Sequence, residues 1–433
     1  MSAPTRIAVI GGGYAGLAAA VELSHHGRQV DVFEASRVLG GRARAVRLGE
    51  LTVDNGQHIL IGAYRETLRL MRCVGSDPDK LLRRLPLRLE FPGEFRMVAP
   101  RWPAPLHTAA ALLGARGIDW HEKWAALRLM MRLQRDNFRI VPDMTLGAWL
   151  DRHAIPSRQR RLLWEPLCIA ALNTPSERAS AQVFAHVLRD SLAADRAASD
   201  LLLPQTDLTS LFPAPAAKYI AAHGGKVHRS HRVNRLLRYG QGWQVDDGEI
   251  YAQVIVAVAP YHLTRLLPEL KDSIDHFEWE PIVTSYLCYP PEFRLKRPML
   301  GVHEGLSQWL FDRGQLGGQL SGQLSDQAGV IASVISARGR HLKLSTAELE
   351  LGIHSEILRH MPNAPTPHAV HTLTEKRATF ACLPDLPRPS PRTPLPQLWL
   401  AGDYIASEYP ATLEGAVRSG VAAAQLALTA PAS

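Results

Sequence analysis

Near the start of the chain an apolar run, Ile7-Ala-Val-Ile10, passes straight into Gly11-x-Gly13-x-x-Gly16, and a second run, Val30-Asp-Val-Phe33, ends in Glu34. Strand, glycine turn, helix and an acid-terminated second strand make a dinucleotide-binding βαβ unit, which commits this end of the chain to a parallel sheet. Gly11 permits the tight turn, Gly13 lets the backbone approach a pyrophosphate, and Gly16 lets the helix pack closely on the strand. The helix start at Tyr14 and Ala15 offers free N–H groups to the phosphates, and Glu34, followed by Ala35, is placed to accept from a ribose.

The next two loops separate flavin from nicotinamide. Gly40-Gly41-Arg42 comes just past the ribose acid, and then Asp54-Asn-Gly56-Gln57-His58. A second glycine pair with an arginine suits FAD, whose pyrophosphate and ribityl chain need donors from a second loop. At the far end, Leu398-Trp-Leu-Ala-Gly402-Asp403 is an apolar strand ending in Gly-Asp, and Thr412-Leu413 opens a small-residue helix through Leu428. That helix start offers N–H groups to an anion or a flavin carbonyl, and Asp403 can hold a ribityl hydroxyl. Because the two FAD segments lie at opposite ends, the cofactor domain is discontinuous.

A chain of 433 residues, 46% hydrophobic, can bury a large core. Cys73, Cys168, Cys288 and Cys382 are isolated, so neither a metal site nor a disulfide framework is expected. No apolar run reaches the roughly 18 residues a membrane span needs, and no signal peptide precedes the first strand. The expected location is cytoplasmic. A net charge of +8 favours an anionic membrane surface over nucleic acid, because the arginines are scattered and no recognition motif interleaves them with aromatics.

The pattern predicts an α/β fold: an FAD-binding Rossmann-like (GR2-type) domain with a substrate domain of mixed sheet and helical cap. Residues 1–67 form its first cofactor segment, 68–215 the helical cap, 216–262 a second cofactor segment containing Val233, 263–390 the substrate sheet, and 391–433 the third cofactor segment. Ile118 to Phe138 carries Trp120, Trp124, Leu127 and Met131 at helical spacing. Gly314 to Gly329, rich in Gly, Gln and Ser, reads as a loop.

Together these motifs resemble the flavin amine oxidase and phytoene desaturase superfamily across nearly the whole chain. Three stretches, Asp54 to Tyr64, Trp164 to Pro175 and Tyr409 to Gly420, are similar to hydroxysqualene dehydroxylases, also called squalene-associated FAD-dependent desaturases. Two departures disfavour amine oxidation. The flavin-side lysine of amine oxidases has no counterpart, since no lysine occurs between Asp272 and Leu295, and Thr412 stands where those enzymes place an aromatic cage residue. No cysteine lies near Gly402 to Leu413 to attach flavin, so FAD is expected to be noncovalent.

The resemblance implies reductive removal of the allylic hydroxyl of hydroxysqualene, a C30 isoprenoid, to give squalene, with FAD bound through Gly11, Gly13, Tyr14, Ala15, Gly16, Glu34, Ala35, Gly41, Arg42, Gly56, Gln57, His58, Val233, Gly402, Asp403, Thr412 and Leu413. Carotenoid or polyprenoid desaturation by oxidised FAD is the alternative, and a flavin-binding scaffold or redox sensor at the membrane is the non-enzymatic one. No nicotinamide motif accompanies the FAD motifs, which leaves the electron donor open. His58 is expected as a proton donor or loop anchor, Glu165 as an acid with a raised pKa or a structural ion pair, and Asn173 as a hydroxyl ligand or helix cap. Trp164, Phe184, Tyr286 and Tyr409 are candidates to line a tunnel. Trp102, Leu106, Leu112, Leu113, Trp120, Trp124, Leu127 and Met131, with Arg101, Arg116, Arg128, Arg132 and Arg135, are expected to meet the anionic surface of the cytoplasmic membrane reversibly.

Overall fold

The computed structural model describes residues 5–316 and 327–430. Five short strands, Ile7–Ile10, Val30–Phe33, Lys226–His228, Gln253–Val256 and Leu398–Leu400, assemble into one sheet. All pair in parallel, with Ile7–Ile10 central between Val30–Phe33 and Gln253–Val256. The fingerprint helix Tyr14–His25 and the C-terminal helix Leu413–Thr429 pack on each other. They can approach closely because a Cβ on Gly420 would lie 2.1 Å from the Ala15 carbonyl oxygen. Chain segments from both ends and the middle therefore share one core. Val233, within the second cofactor segment, lies in irregular chain after strand Lys226–His228.

The second sheet is antiparallel, ordered Met299–Gly301, Trp309–Asp312, Val330–Ser336, Trp279–Cys288 and Ala369–Phe380. Alternation along its strands splits two faces. Val283, Leu287, Ile331 and Ile335 pack under helix Thr346–His360, while Tyr286, Trp309, Phe311 and Val334 turn the other way, toward the cofactor sheet and cap.

The stretch expected as a helical cap is not purely helical. Leu82–Leu85 and Leu201–Pro204 pair with each other, and Arg88–Phe91 forms a hairpin with Phe95–Val98. Part of it, including Leu202, Leu211 and Phe212, is buried in the cofactor-sheet core. The helix Trp120–Arg135 begins where Asp119 and Glu122 form a capping box. Its inner face is Ala125, Ala126, Leu129, Met130 and Leu133, whereas Trp120 (63% exposed), Trp124 and Met131 point outward. Trp102 and Leu106 are also exposed, but Leu112, expected with them, is buried. Most of the Gly314 to Gly329 stretch lies outside the described residues; at its start Arg313–Leu316 makes a helical turn.

Candidate active site

At the carboxyl ends of the parallel strands, where a doubly wound sheet leaves its crevice, a cavity of about 680 Å³ opens between the two sheets. Of the cofactor residues expected from sequence, all but Gly16 stand on its wall. Gly16 is instead held by packing, since a Cβ there would sit 1.9 Å from the Gly11 oxygen. Gly13 differs: its nearest neighbour would be Gly41 Cα at 3.8 Å, so the space beside it belongs to the cavity and to whatever enters. The helix behind it has no side-chain cap, which leaves its first N–H groups for an anion.

Glu34 is oriented from the backbone. Gly12 N donates to one carboxylate oxygen and Ser36 N to the other, each at 2.7 Å. Each oxygen retains a lone pair toward the cavity. Arg42 donates to the Ala378 carbonyl at 2.7 Å and to Asp403 at 2.6 Å, which joins the second loop to the C-terminal one. Thr412 Oγ1 accepts from Gly415 N at 3.1 Å and so caps the C-terminal helix, whose first turn faces the cavity. The buried Tyr404 hydroxyl stands on the same wall without a partner among the described residues. A strip of glycine backbone, a free helix N-terminus, an acid at the strand end and an orphaned donor fit an extended dinucleotide such as FAD.

The opposite wall is apolar: Ile59, Ile169, Ile282, Trp309, Phe311 and Val334. His58 stands where the two walls meet. Its Nδ1 donates to the Gly56 carbonyl at 2.7 Å, and burial, aided by the Arg42 charge, pushes its pKa down. The ring is therefore neutral near pH 7, with Nε2 left as an acceptor.

Asn173 also reaches the wall, but its amide is engaged. It occupies a left-handed helix cap (φ 48°), donates to Thr379 Oγ1 and the Pro281 carbonyl, and accepts from Ala337 N at 2.7 Å. This cross-links the cap to three strands of the substrate sheet. Glu165 is not brought to the cavity. It sits one helical turn before Ile169, 3.7 Å from Arg160, and desolvation followed by the nearby Glu177 raises its pKa. Its raised pKa thus arises away from the site. Nor do Trp164, Phe184, Tyr286 and Tyr409 line the cavity: Trp164 and Phe184 meet edge to face in the core, Tyr286 donates to the Asp54 carbonyl and Tyr409 to Asp190.

Several supporting residues escaped the sequence reading. Arg388, in the proline-rich connector, donates to the carbonyls of Asp403, Tyr404, Ser407 and Tyr409 and pins the loop after Gly402. The buried Arg313 donates to Gln57 and Gln327, behind the flavin loop. Asp54, buried beside it and accepting from Leu208 N, has its pKa raised to about 7 by desolvation, against the lowering effect of Arg313. None carries a local motif; only the reach of a long side chain across the fold reveals them.

The sequence matches the flavin containing amine oxidoreductase model over residues 14–428, and the chain belongs to that family. It is an FAD-dependent oxidoreductase. More particularly, it is 30% identical to the hydroxysqualene dehydroxylase of Sinorhizobium fredii, over 98% of this chain and 99% of that protein. It is likewise 30% identical to that of Rhodopseudomonas palustris, over 98% of each. Cyclohexylamine oxidase from Brevibacterium oxydans shares the fold, with a TM-score of 0.71 at 17% identity over 98% of this chain and 99% of that one.

Proposed function

We propose that the enzyme reductively removes the allylic hydroxyl of hydroxysqualene to give squalene. The observation that carries this reading is the pairing of a cofactor wall with a largely apolar wall at His58, in a chain similar end to end to hydroxysqualene dehydroxylases. Amine oxidation lacks support: strand Trp279–Cys288 holds no lysine, and the residue it gives the cavity wall is Ile282.

FAD, held noncovalently and reduced, supplies the two electrons and one proton that replace the hydroxyl. The chain's own residues then do three things. Ile59, Ile169, Ile282 and Val334 exclude water from the allylic carbon, while Trp309 and Phe311 present aromatic rings that favour developing positive charge. Neutral His58 accepts a hydrogen bond from the substrate hydroxyl through Nε2, and becomes a proton donor to the departing oxygen only once protonated. Asn173 fixes the cap helix that carries Ile169, and acts on position rather than on the hydroxyl. Chemically reduced enzyme incubated with hydroxysqualene should release squalene, whereas oxidised enzyme should leave phytoene and squalene unchanged. Polyene formation by the oxidised enzyme would replace this reading with desaturation.

The same reading includes reversible membrane attachment. No helix among the described residues is long and apolar enough to span a bilayer. Trp120, Trp124 and Met131 nonetheless form one exposed stripe, flanked by exposed Arg128, Arg132 and Arg135. Such a face suits the interface of an anionic bilayer that holds a C30 hydrocarbon. Liposome flotation should need anionic lipid and fall when all three are changed to Ser with FAD retained. Undiminished flotation would free this helix of the role.

A further inference from the structure

Reduction of an alcohol to a hydrocarbon consumes electrons that must enter from outside. Each turnover breaks one C–O bond, forms one C–H bond, releases one water and takes up two electrons and two protons. The sequence holds one dinucleotide fingerprint, in the residues that would hold FAD. A carrier protein would deliver those electrons across the surface beside the cofactor cavity.

One part of that surface is distinctive. Arg232, His262 and Arg265 stand at the rim of the cofactor cavity, and all three are exposed. Arg377 joins them, its guanidinium 4.5 Å from the Tyr261 ring centroid. His262 has its pKa lowered first by desolvation and then by Arg232, Arg265 and Arg377. None of the three arginines is in an ion pair among the described residues. Arg265 donates only to the Val233 carbonyl and the Asn234 amide oxygen. The nearby carboxylate, Glu375, accepts from Asn55 and the Arg377 backbone. Asn55 precedes Gly56, so this rim is continuous with the flavin loop. Some exposed arginines elsewhere are paired, as at Arg65–Asp195 and Arg235–Asp247. Three unpaired guanidiniums around a cavity mouth instead make a focused positive field, which steers an acidic partner.

We propose that Arg232, Arg265 and Arg377 form the docking surface for an acidic one-electron carrier protein that reduces the bound FAD. Two carriers, each oxidised by one electron, are spent per hydrocarbon formed; the protons come from solvent. The need for a donor rests on the reductive reading above, whereas the docking rim does not.

The test monitors flavin bleaching in the holoenzyme after mixing with a pre-reduced acidic [2Fe–2S] ferredoxin or an acidic flavodoxin. Wild type should be reduced at a rate that falls with salt. The variant carrying Arg232→Glu, Arg265→Glu and Arg377→Glu should be slowed ten-fold or more at low salt, with a flatter salt dependence, while the triple Arg→Lys variant stays near wild type. Light-driven reduction by deazaflavin, which needs no docking, should be equal in all three. Squalene formation from deazaflavin-reduced enzyme reads the reaction separately, so its failure would remove the reductive reading and leave the rim standing. The docking proposal is overturned if the Glu variant is reduced by carrier as fast as wild type, or if neither carrier reduces wild type. It is equally overturned if NADPH reduces wild type as fast as a carrier does, or if the Glu variant loses FAD, which would assign the arginines to the cofactor's phosphates.

Discussion

Two glycines three residues apart in the same turn should fail in opposite ways when each is given one methyl group. At Gly13 the backbone is ordinary extended (φ −78°, ψ 180°) and an added Cβ meets nothing closer than 3.8 Å. Gly13→Ala should therefore leave the apo-protein as stable as wild type, or more so by about 0.4–1 kcal/mol through a less flexible unfolded chain. The methyl projects where the pyrophosphate lies, and forcing it into a packed contact costs about 1–3 kcal/mol, so FAD affinity should fall about 10- to 100-fold. At Gly16 the Cβ would lie 1.9 Å from the Gly11 oxygen, a distance no structure tolerates, so strand and helix must separate by more than an ångström. Gly16→Ala should lose stability at or beyond the upper end of that overpacking range, with or without cofactor. Thermal melting of both apo-proteins, then FAD titration, reads the two effects apart. Wild-type FAD affinity in Gly13→Ala would show that the pyrophosphate does not lie against this turn. Equal destabilisation of the two apo-proteins would refute the space read beside Gly13.

The site sets three further outcomes. Because His58 is held neutral by burial, squalene release by chemically reduced enzyme should rise as pH falls below about 6.5, and His58→Gln should abolish that rise; parallel profiles would end the proton-donor role. Asp54, raised from 3.8 to about 7, keeps its proton in the fold where the unfolded chain has lost it, so its contribution is present at low pH and lost as pH climbs through that window. The difference is worth about 4 kcal/mol; in urea unfolding from pH 4 to pH 8, Asp54→Asn should flatten the decline, and an unchanged slope would place the effect elsewhere. Arg388→Lys keeps the charge but loses the fork that spans four carbonyls, at about 1.5–3 kcal/mol for each charged hydrogen bond lost; the loop from Asp403 to Tyr409 should become sensitive to protease and FAD should bind more weakly, whereas an unaltered cleavage pattern would show that the loop holds itself.

The cofactor half was legible because its rules are local: glycines at a fixed spacing, an acid at a strand end and a threonine before a helix each state their geometry within a few residues. That these pieces sit together on one wall is a consequence of a parallel sheet whose strands all end on the same side. The substrate half was less legible, because it depends on which way a side chain turns. Trp164 and Ile169 lie on one helix, yet only Ile169 reaches the cavity, and composition weights the tryptophan more heavily. Protonation was hidden for the same reason. His58 and Glu165 both looked like acids, but the first is neutral because the fold buries it, and the second carries its raised pKa beside Arg160, away from the chemistry. The arginines show the limit most clearly. Arg42, Arg313 and Arg388 are alike in sequence to Arg232, Arg265 and Arg377, and what separates them is whether the fold draws the side chain inward or leaves it exposed. The first three are buried or half-buried and bind carbonyls, an amide or a carboxylate across the fold, while the last three stay exposed at the cavity mouth and form no ion pair among the described residues.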